Sequence, residues 1–223
     1  YRPASGVSGL VTEGDPGNGA VLITLDDADY IRFDGSDGGG GTVIGDADWT
    51  IRNTNASATT SNRRATFRLI NDASNNIFRF LTVEGDAAPT YGIFHFSTAT
   101  TTGNDNNTIR YCTIQNYSNT TEIPGSAVYS YGTTAKLNSG NIVEYCSFID
   151  VFGADAADIG NITLDAFNTA WTIRYNDFYK NTATTMSTGP YYHCFLKIDD
   201  GGTYVIQNND FGSVLKKFKN KEI

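Results

Sequence analysis

The chain is poor in the residues that long helices and stapled scaffolds need. Among 223 residues there are one methionine, two tryptophans, three cysteines and five prolines. Leucine is sparse, and lysine is sparse outside a short basic stretch near the C-terminus. With Met, Leu and Lys scarce and Gly, Asn, Asp, Thr and Ser abundant, long helices are disfavoured, because their interiors prefer Ala, Leu, Glu, Lys, Gln, Arg and Met. Cys112, Cys146 and Cys194 are odd in number and form no CxxC pair, so neither a disulfide framework nor a zinc site is written here. They read as buried thiols behaving as small hydrophobes. No apolar run approaches the ~20 residues that span a bilayer, and no secretory leader pattern is visible. The first residue is Tyr1 rather than methionine, which suits a mature, trimmed or partial chain. Sixteen basic residues stand against 24 acidic ones, a net charge of -8. The pI of about 4.6 disfavours nucleic acid as a partner, because the surface repels phosphate backbones.

What is present is aromatic, turn-rich and repetitive. Thirteen Tyr and 13 Phe, in a chain 39% hydrophobic, exclude disorder and supply a core without disulfide help. One phrase recurs. Its rows run Phe78–Val83, Ile109–Ile114, Val143–Phe148, Ile173–Phe178 and Ile206–Phe211, at spacings of 31, 34, 30 and 33 residues. "DDADYIRF" at Asp26 and "GDADWTIRN" at Gly45 read as shorter versions. A second phrase lies between the copies. "GIFHFST" at Gly92 aligns with "AVYSYGT" at Ala127, and "CFLKIDD" at Cys194 fits the same frame. Apolar residues alternate over four to six positions and stop at Asn, Asp or Gly, which is strand grammar rather than the i, i+3, i+4 spacing of helical repeats.

A unit of this kind cannot bury its own apolar face, whereas stacked copies share one core. Equivalent positions then form columns about 4.8 Å apart. The third position of the phrase gives an aromatic column, Phe80, Tyr111, Tyr145 and Tyr175; the fourth gives Leu81, Cys112, Cys146, Asn176 and Asn209, an interior ladder at a bend.

The strand–bend–strand phrase with its Asn/Cys ladder resembles right-handed parallel β-helix repeat proteins, the pectate-lyase-like superfamily. "DDADYIRFDG", "RLINDASNN" and "FSTATTTGNDNNTI" resemble repeat regions of large secreted bacterial surface proteins. The resemblance runs from about Val21 to Phe211. It implies an all-β fold, a single right-handed parallel β-helix (β-solenoid) of about five to seven coils. The helix is expected over 21–213, with an N-terminal cap or lead-in at 1–20 and a basic tail or cap at 214–223. Lyases, hydrolases and adhesins share this fold, so function must be argued from a site.

Alternation in the second phrase sends Phe94, Phe96, Tyr129, Tyr131, Leu164, Leu196 and Ile198 inward. Arg68, His95, Ser130, Asp165 and Lys197 then face out as one column within about 20 Å. It reads either as a ligand-binding strip or as an ordinary solvated face. Lys197, His95, Arg68 and Asp165 are the catalytic candidates, since β-elimination on a uronide needs a base and a cation for the developing anion. A Ser130–His95–Asp165 triad is disfavoured, because no nucleophile elbow accompanies Ser130 and Asp165 falls on its far side. A second outward column, Arg79, Arg110, Glu144, Arg174 and Gln207, reads as a structural ladder or a grip for carboxylated sugars. "YYHCFLK" adds Tyr191, Tyr192 and His193 as ligand-binding candidates. Acidic loops such as "GDPGNG" and "GNDNN" make calcium a candidate on composition alone; none has the EF-hand pattern.

The first functional reading is a secreted or cell-surface bacterial module, non-catalytic, that binds polysaccharide or serves as an adhesive or structural stalk. The second is a polysaccharide lyase or glycoside hydrolase acting on an acidic glycan. The third is a purely structural repeat segment of a larger surface protein.

Overall fold

The computed structural model describes residues 1–17, 20–55, 65–85, 91–117, 124–151, 159–179, 181 and 193–212; the side chains of Ile44, Ile159 and His193 are not described. Tyr191, Tyr192 and the segment 213–223, which contains the basic tail, lie outside these residues.

The chain winds into a parallel β-solenoid walled by three sheets. Sheet 1 stacks Leu10–Gly14, Trp49–Asn53, Leu81–Gly85, Thr113–Asn116, Ser147–Ile149, Asp177–Tyr179 and Asp210–Phe211. Sheet 2 stacks Ile23–Asp26, Phe67–Ile70, Gly92–Phe96, Ser126–Ser130, Ile159–Leu164 and His193–Ile198. Sheet 3 stacks Arg32–Asp34, Ile77–Arg79, Thr108–Arg110, Ile142–Glu144, Trp171–Arg174 and Tyr204–Gln207. About four turns are complete, fewer than the five to seven read from the repeat. The two early phrases are not two copies of one unit. Arg32–Asp34 belongs to sheet 3 and Trp49–Asn53 to sheet 1, so both belong to the first coil. Leu10–Gly14, inside the expected lead-in, pairs with Trp49–Asn53.

Each copy of the main phrase is a sheet 3 strand, a corner of one or two residues and a sheet 1 strand. The bend residues Phe80, Tyr111, Tyr145 and Tyr175 all hold a left-handed φ between 52° and 56°. That strain, ~1–3 kcal/mol for a residue other than glycine, is tolerated because the aromatic rings stack on one another down the axis. Their centroids are 5.1, 5.0 and 4.9 Å apart. Inside, Phe33, Phe78, Phe67 and Phe94 pack at 4.9–5.4 Å. Phe148, Phe178 and Phe211 stack along sheet 1.

Polar ladders close the corners that apolar residues cannot fill. Asn76, Asn107 and Asn141 bond in series, Nδ2 to Oδ1, at 3.0 and 3.1 Å. Asn209 Oδ1 accepts from Asn176 Nδ2 at 3.0 Å. In the same column Cys146 N–H donates to Asn176 Oδ1 at 2.9 Å. Cys112 and Cys146 are buried there. Burial, then the neighbouring Cys112 thiol, pushes the Cys146 thiol up, which removes the thiolate that redox chemistry needs.

The Thr-rich loop is stapled rather than loose. Asp72 accepts from the backbone N–H groups of Thr100, Thr101, Thr102 and Gly103 at 2.8–3.2 Å and from Thr100 Oγ1. Burial alone would raise its pKa, but these donors together hold it far below the usual carboxylate range. Because the folded-state value is depressed, the staple's contribution is present above the unfolded carboxyl pKa of ~3.9 and fades as the pH falls below it. Asp72→Asn is therefore expected to melt lower than the parent chain at neutral pH. The gap between their melting temperatures should begin to narrow as the pH falls below about 4 and go on narrowing toward the depressed folded value. A gap independent of pH would contradict this assignment.

Candidate functional site

The outer face of sheet 2 carries the site. Its register is Arg68↔His95↔Tyr129↔Thr163↔Lys197. Three of the five expected residues, Arg68, His95 and Lys197, therefore share the outward column. Ser130 and Asp165 do not, and Tyr129 and Thr163 take their places. Gly92 pairs with Ser126 rather than with Ala127, a shift of one residue that turns each side chain to the other face. The chain settles there because Val128 then lies on Phe94 and Ile162 in the core. The alternative would bury the Tyr129 phenol and expose Val128.

Ser130 is buried instead. Its Oγ donates to Asn168 Oδ1 at 2.6 Å and accepts from Asn138 Nδ2 at 3.0 Å. It is a rung of a polar ladder, and no Ser–His–Asp arrangement forms. Tyr131, expected inside, is 41% exposed and meets Phe167 edge-on at 5.8 Å. Asp165 follows the Leu164 strand end yet still reaches the outer face, where its Oδ2 accepts from the Tyr129 hydroxyl at 2.8 Å.

His95 points outward but is only 2% exposed. Its ring lies 4.9 Å from Tyr91 and 5.7 Å from Tyr129, and Tyr91 meets Tyr129 edge-on at 5.9 Å. Together with Ser97, Thr98 and Tyr131 these residues line a cleft of about 250 Å³. Arg68, one coil away from His95, directs Nη2 toward Ser97 Oγ at 3.4 Å. Burial first, then the bond to Asp165, pushes the Tyr129 phenol far up. The proton stays on Tyr129, and the hydroxyl fixes the carboxylate of Asp165 beside the cleft.

Lys197 lies three coils from His95, about 14 Å along the axis, and its Nζ pairs with Asp199 at 2.6 Å. It does not line the cleft. His193 opens the strand His193–Ile198, opposite Ile159. Among the described residues no three His, Cys, Asp or Glu side chains gather as a metal site. No helix of the described residues is long and apolar enough to cross a membrane.

Sequence reasoning missed Tyr91, Ser97, Thr98 and the outward orientation of Tyr129. The signal was present in the ladder residues: Asn138 and Asn168 both bond Ser130, which fixes Ser130 inside and Tyr129 out. Comparisons with protein-family models, with curated proteins and with solved structures find no match to this chain.

Proposed function

We propose that the chain is a secreted or cell-surface β-solenoid module that binds polysaccharide without turning it over, in an adhesive or stalk role. The observation that carries this reading is the cleft of Tyr91, His95, Tyr129 and Tyr131 with Asp165 fixed behind Tyr129. Aromatic faces suit the apolar C–H faces of sugar rings, and a fixed carboxylate with an imidazole and two hydroxyls suits their hydroxyl groups. At about 250 Å³ the cleft is smaller than the ~300–1,000 Å³ that drug-sized ligands fill, which suits one or two sugar units of a longer chain. The resemblance to pectate-lyase-like β-helix proteins and to repeats of bacterial surface proteins supports the same setting.

Two features of the geometry favour binding over turnover. Glycoside hydrolysis uses two carboxyl groups facing each other across the bond, whereas no carboxyl group lines the cleft and Asp165, beside it, is bonded to Tyr129. A lyase base at Lys197 would first have to leave Asp199.

The test is incubation with purified acidic and neutral polysaccharides, with and without calcium. Unsaturated-product absorbance, new reducing ends and co-sedimentation are followed in the same tubes. Retention without turnover is expected, weakened about tenfold or more in Tyr129→Ala, since an aromatic contact and a hydrogen bond are lost together. Turnover that vanishes in Lys197→Ala would make the chain a lyase. Neither retention nor turnover would leave a structural repeat segment.

A further inference from the structure

A second polar surface runs down the outer face of sheet 3, away from the cleft. Its column is Asp34, Arg79, Arg110, Glu144, Arg174 and Gln207 in continuous register. The charges do not cancel pairwise. Arg79 donates Nε and Nη2 to Asp34 Oδ2 at 2.9 and 2.7 Å. Arg174 donates to Glu144 Oε2 through Nε at 2.8 Å and Nη2 at 2.7 Å. Asp34 Oδ2 also accepts from Arg32 Nη2 at 2.8 Å, so both carboxylates are already taken, and Arg110, between Arg79 and Glu144, is the arginine of the column left over. Among the described residues it has no ion pair, and its Nε, closed off from solvent, has no acceptor. A buried N–H left without an acceptor costs ~1–3 kcal/mol, so Arg110 is held at a cost, and a ligand from solvent would meet its outer guanidinium nitrogens rather than the enclosed Nε.

The neighbouring column says what kind of ligand. Tyr111 lies between Phe80 and Tyr145, and Tyr145 between Tyr111 and Tyr175, each pair stacked, so both faces of Tyr111 and Tyr145 are occupied. Tyr145 and Tyr175 are 38% and 39% exposed. The result is a row of tyrosine rings at a spacing near 5 Å in the column next to the arginines. A ligand cannot slide between Tyr111 and Tyr145 without parting the stack, while hydroxyl and acid groups on a chain can meet their edges rung by rung. The row has a definite start. Gly39 O accepts from Arg79 Nη2 at 3.2 Å, and a Cβ placed on Gly41 would press on the Phe80 ring at 3.0 Å. That loop covers the coil before Arg110, so half-buried Arg110 is the first arginine of the column beyond it.

We propose that Arg110, with the hydroxyl edges of Tyr111 and Tyr145, forms a second ligand site that takes the carboxylate or sulfate group of an acidic glycan. A guanidinium fork matches such groups in two parallel hydrogen bonds. The net charge of -8 opposes a polyanion at long range, but at physiological ionic strength charges beyond about 8 Å are screened. Short acidic oligosaccharides are therefore favoured over long polymers at low salt. The site stands on its own residues and does not require the cleft to bind.

The test titrates a uronic-acid trisaccharide, a sulfated disaccharide and a neutral trisaccharide into the parent chain, Arg110→Gln, Arg110→Lys and Tyr129→Ala. Calorimetry is run at low and physiological ionic strength, with a thermal melt of each ligand-free protein. An acidic sugar is expected to bind the parent chain, with the carboxylate and sulfate arms telling the two anions apart. Arg110→Gln should lose about tenfold or more in affinity for it, the loss of one charged bidentate contact. Arg110→Lys should fall between, and Tyr129→Ala should keep an acidic-sugar binding step that Arg110→Gln lacks. Ligand-free Arg110→Gln should melt at or above the parent temperature, because an unsatisfied buried donor is gone. Acidic-sugar binding unchanged in Arg110→Gln overturns the proposal, as does binding lost in Tyr129→Ala alone, which would place the acid in the cleft. No acidic sugar bound by the parent chain also overturns it, and a markedly lower melt for Arg110→Gln would assign Arg110 to packing.

Discussion

Asn107→Leu is expected to destabilise the solenoid by about 3–5 kcal/mol, a large share of the ~5–15 kcal/mol that folded chains possess. Asn107 is fully buried in the middle of its ladder. Its Oδ1 accepts from both the backbone N–H and Nδ2 of Asn76 at 3.0 Å. Its Nδ2 donates to Ala73 O at 3.0 Å and to Asn141 Oδ1 at 3.1 Å. Leucine matches the volume and none of these bonds. Two donors of Asn76 and the carbonyl of Ala73 would be left without their partner where water cannot follow, and each such orphan costs ~1–3 kcal/mol. Asn107→Asp keeps the shape but sets a carboxylate against Ala73 O and Asn141 Oδ1, so it should fail too. The check is the denaturant midpoint. A shift equal to that of Thr108→Ala, next in sequence but outside the ladder, would contradict this reading.

Trp171→Ala is expected to cost about 3–5 kcal/mol by deleting the largest buried side chain. The Trp171 ring is closed off from solvent and meets Phe96 edge-on at 4.9 Å. Its Nε1 donates to Asn138 O at 3.0 Å. Asn138 in turn bonds Ser130 Oγ and supplies the acceptor for the Asn104 N–H at 3.0 Å. The indole thus joins the apolar core to the ladder that holds the sheet 2 register. Trp171→Phe keeps a ring and strands one carbonyl, so a smaller loss of ~1–3 kcal/mol is expected. Equal losses in the two variants would show that the indole N–H bond, rather than the volume, carries the effect.

The main phrase was legible because its corner turns on one left-handed residue, at the same place in every copy. Phe80, Tyr111, Tyr145 and Tyr175 fall in one column in the sequence and in the structure. The charged column from Arg79 to Gln207 is likewise in the expected register. Sheet 2 was harder to read because its strands follow loops of unequal length and carry a local break in alternation. Ile93 and Phe94 are both buried, as are Ala127 and Val128, so burial alone does not mark which residue of each pair faces the core. Aligning Gly92 with Ala127 instead of Ser126 shifts the second copy by one residue, which is how Ser130 replaced Tyr129 in the expected strip. Tyr91, a half-buried lining residue one position before Gly92, lies outside the phrase altogether. Which arginine lacks a carboxylate was not legible either, because Arg79, Arg110 and Arg174 are equivalent by spacing. Only the positions of Asp34 and Glu144 distinguish them.

The chain contains two histidines, His95 and His193, so an imidazole proton–carbon NMR spectrum reports on the cleft directly, with His193→Gln assigning the signals. The measurement is a titration with an oligosaccharide from a retained polysaccharide. A sugar seated against Tyr91 and Tyr129 should shift the His95 signal saturably, leave the His193 signal in place, and lose the shift in Tyr129→Ala. Saturable binding that leaves the His95 signal unmoved would contradict the assignment of this cleft as the glycan site.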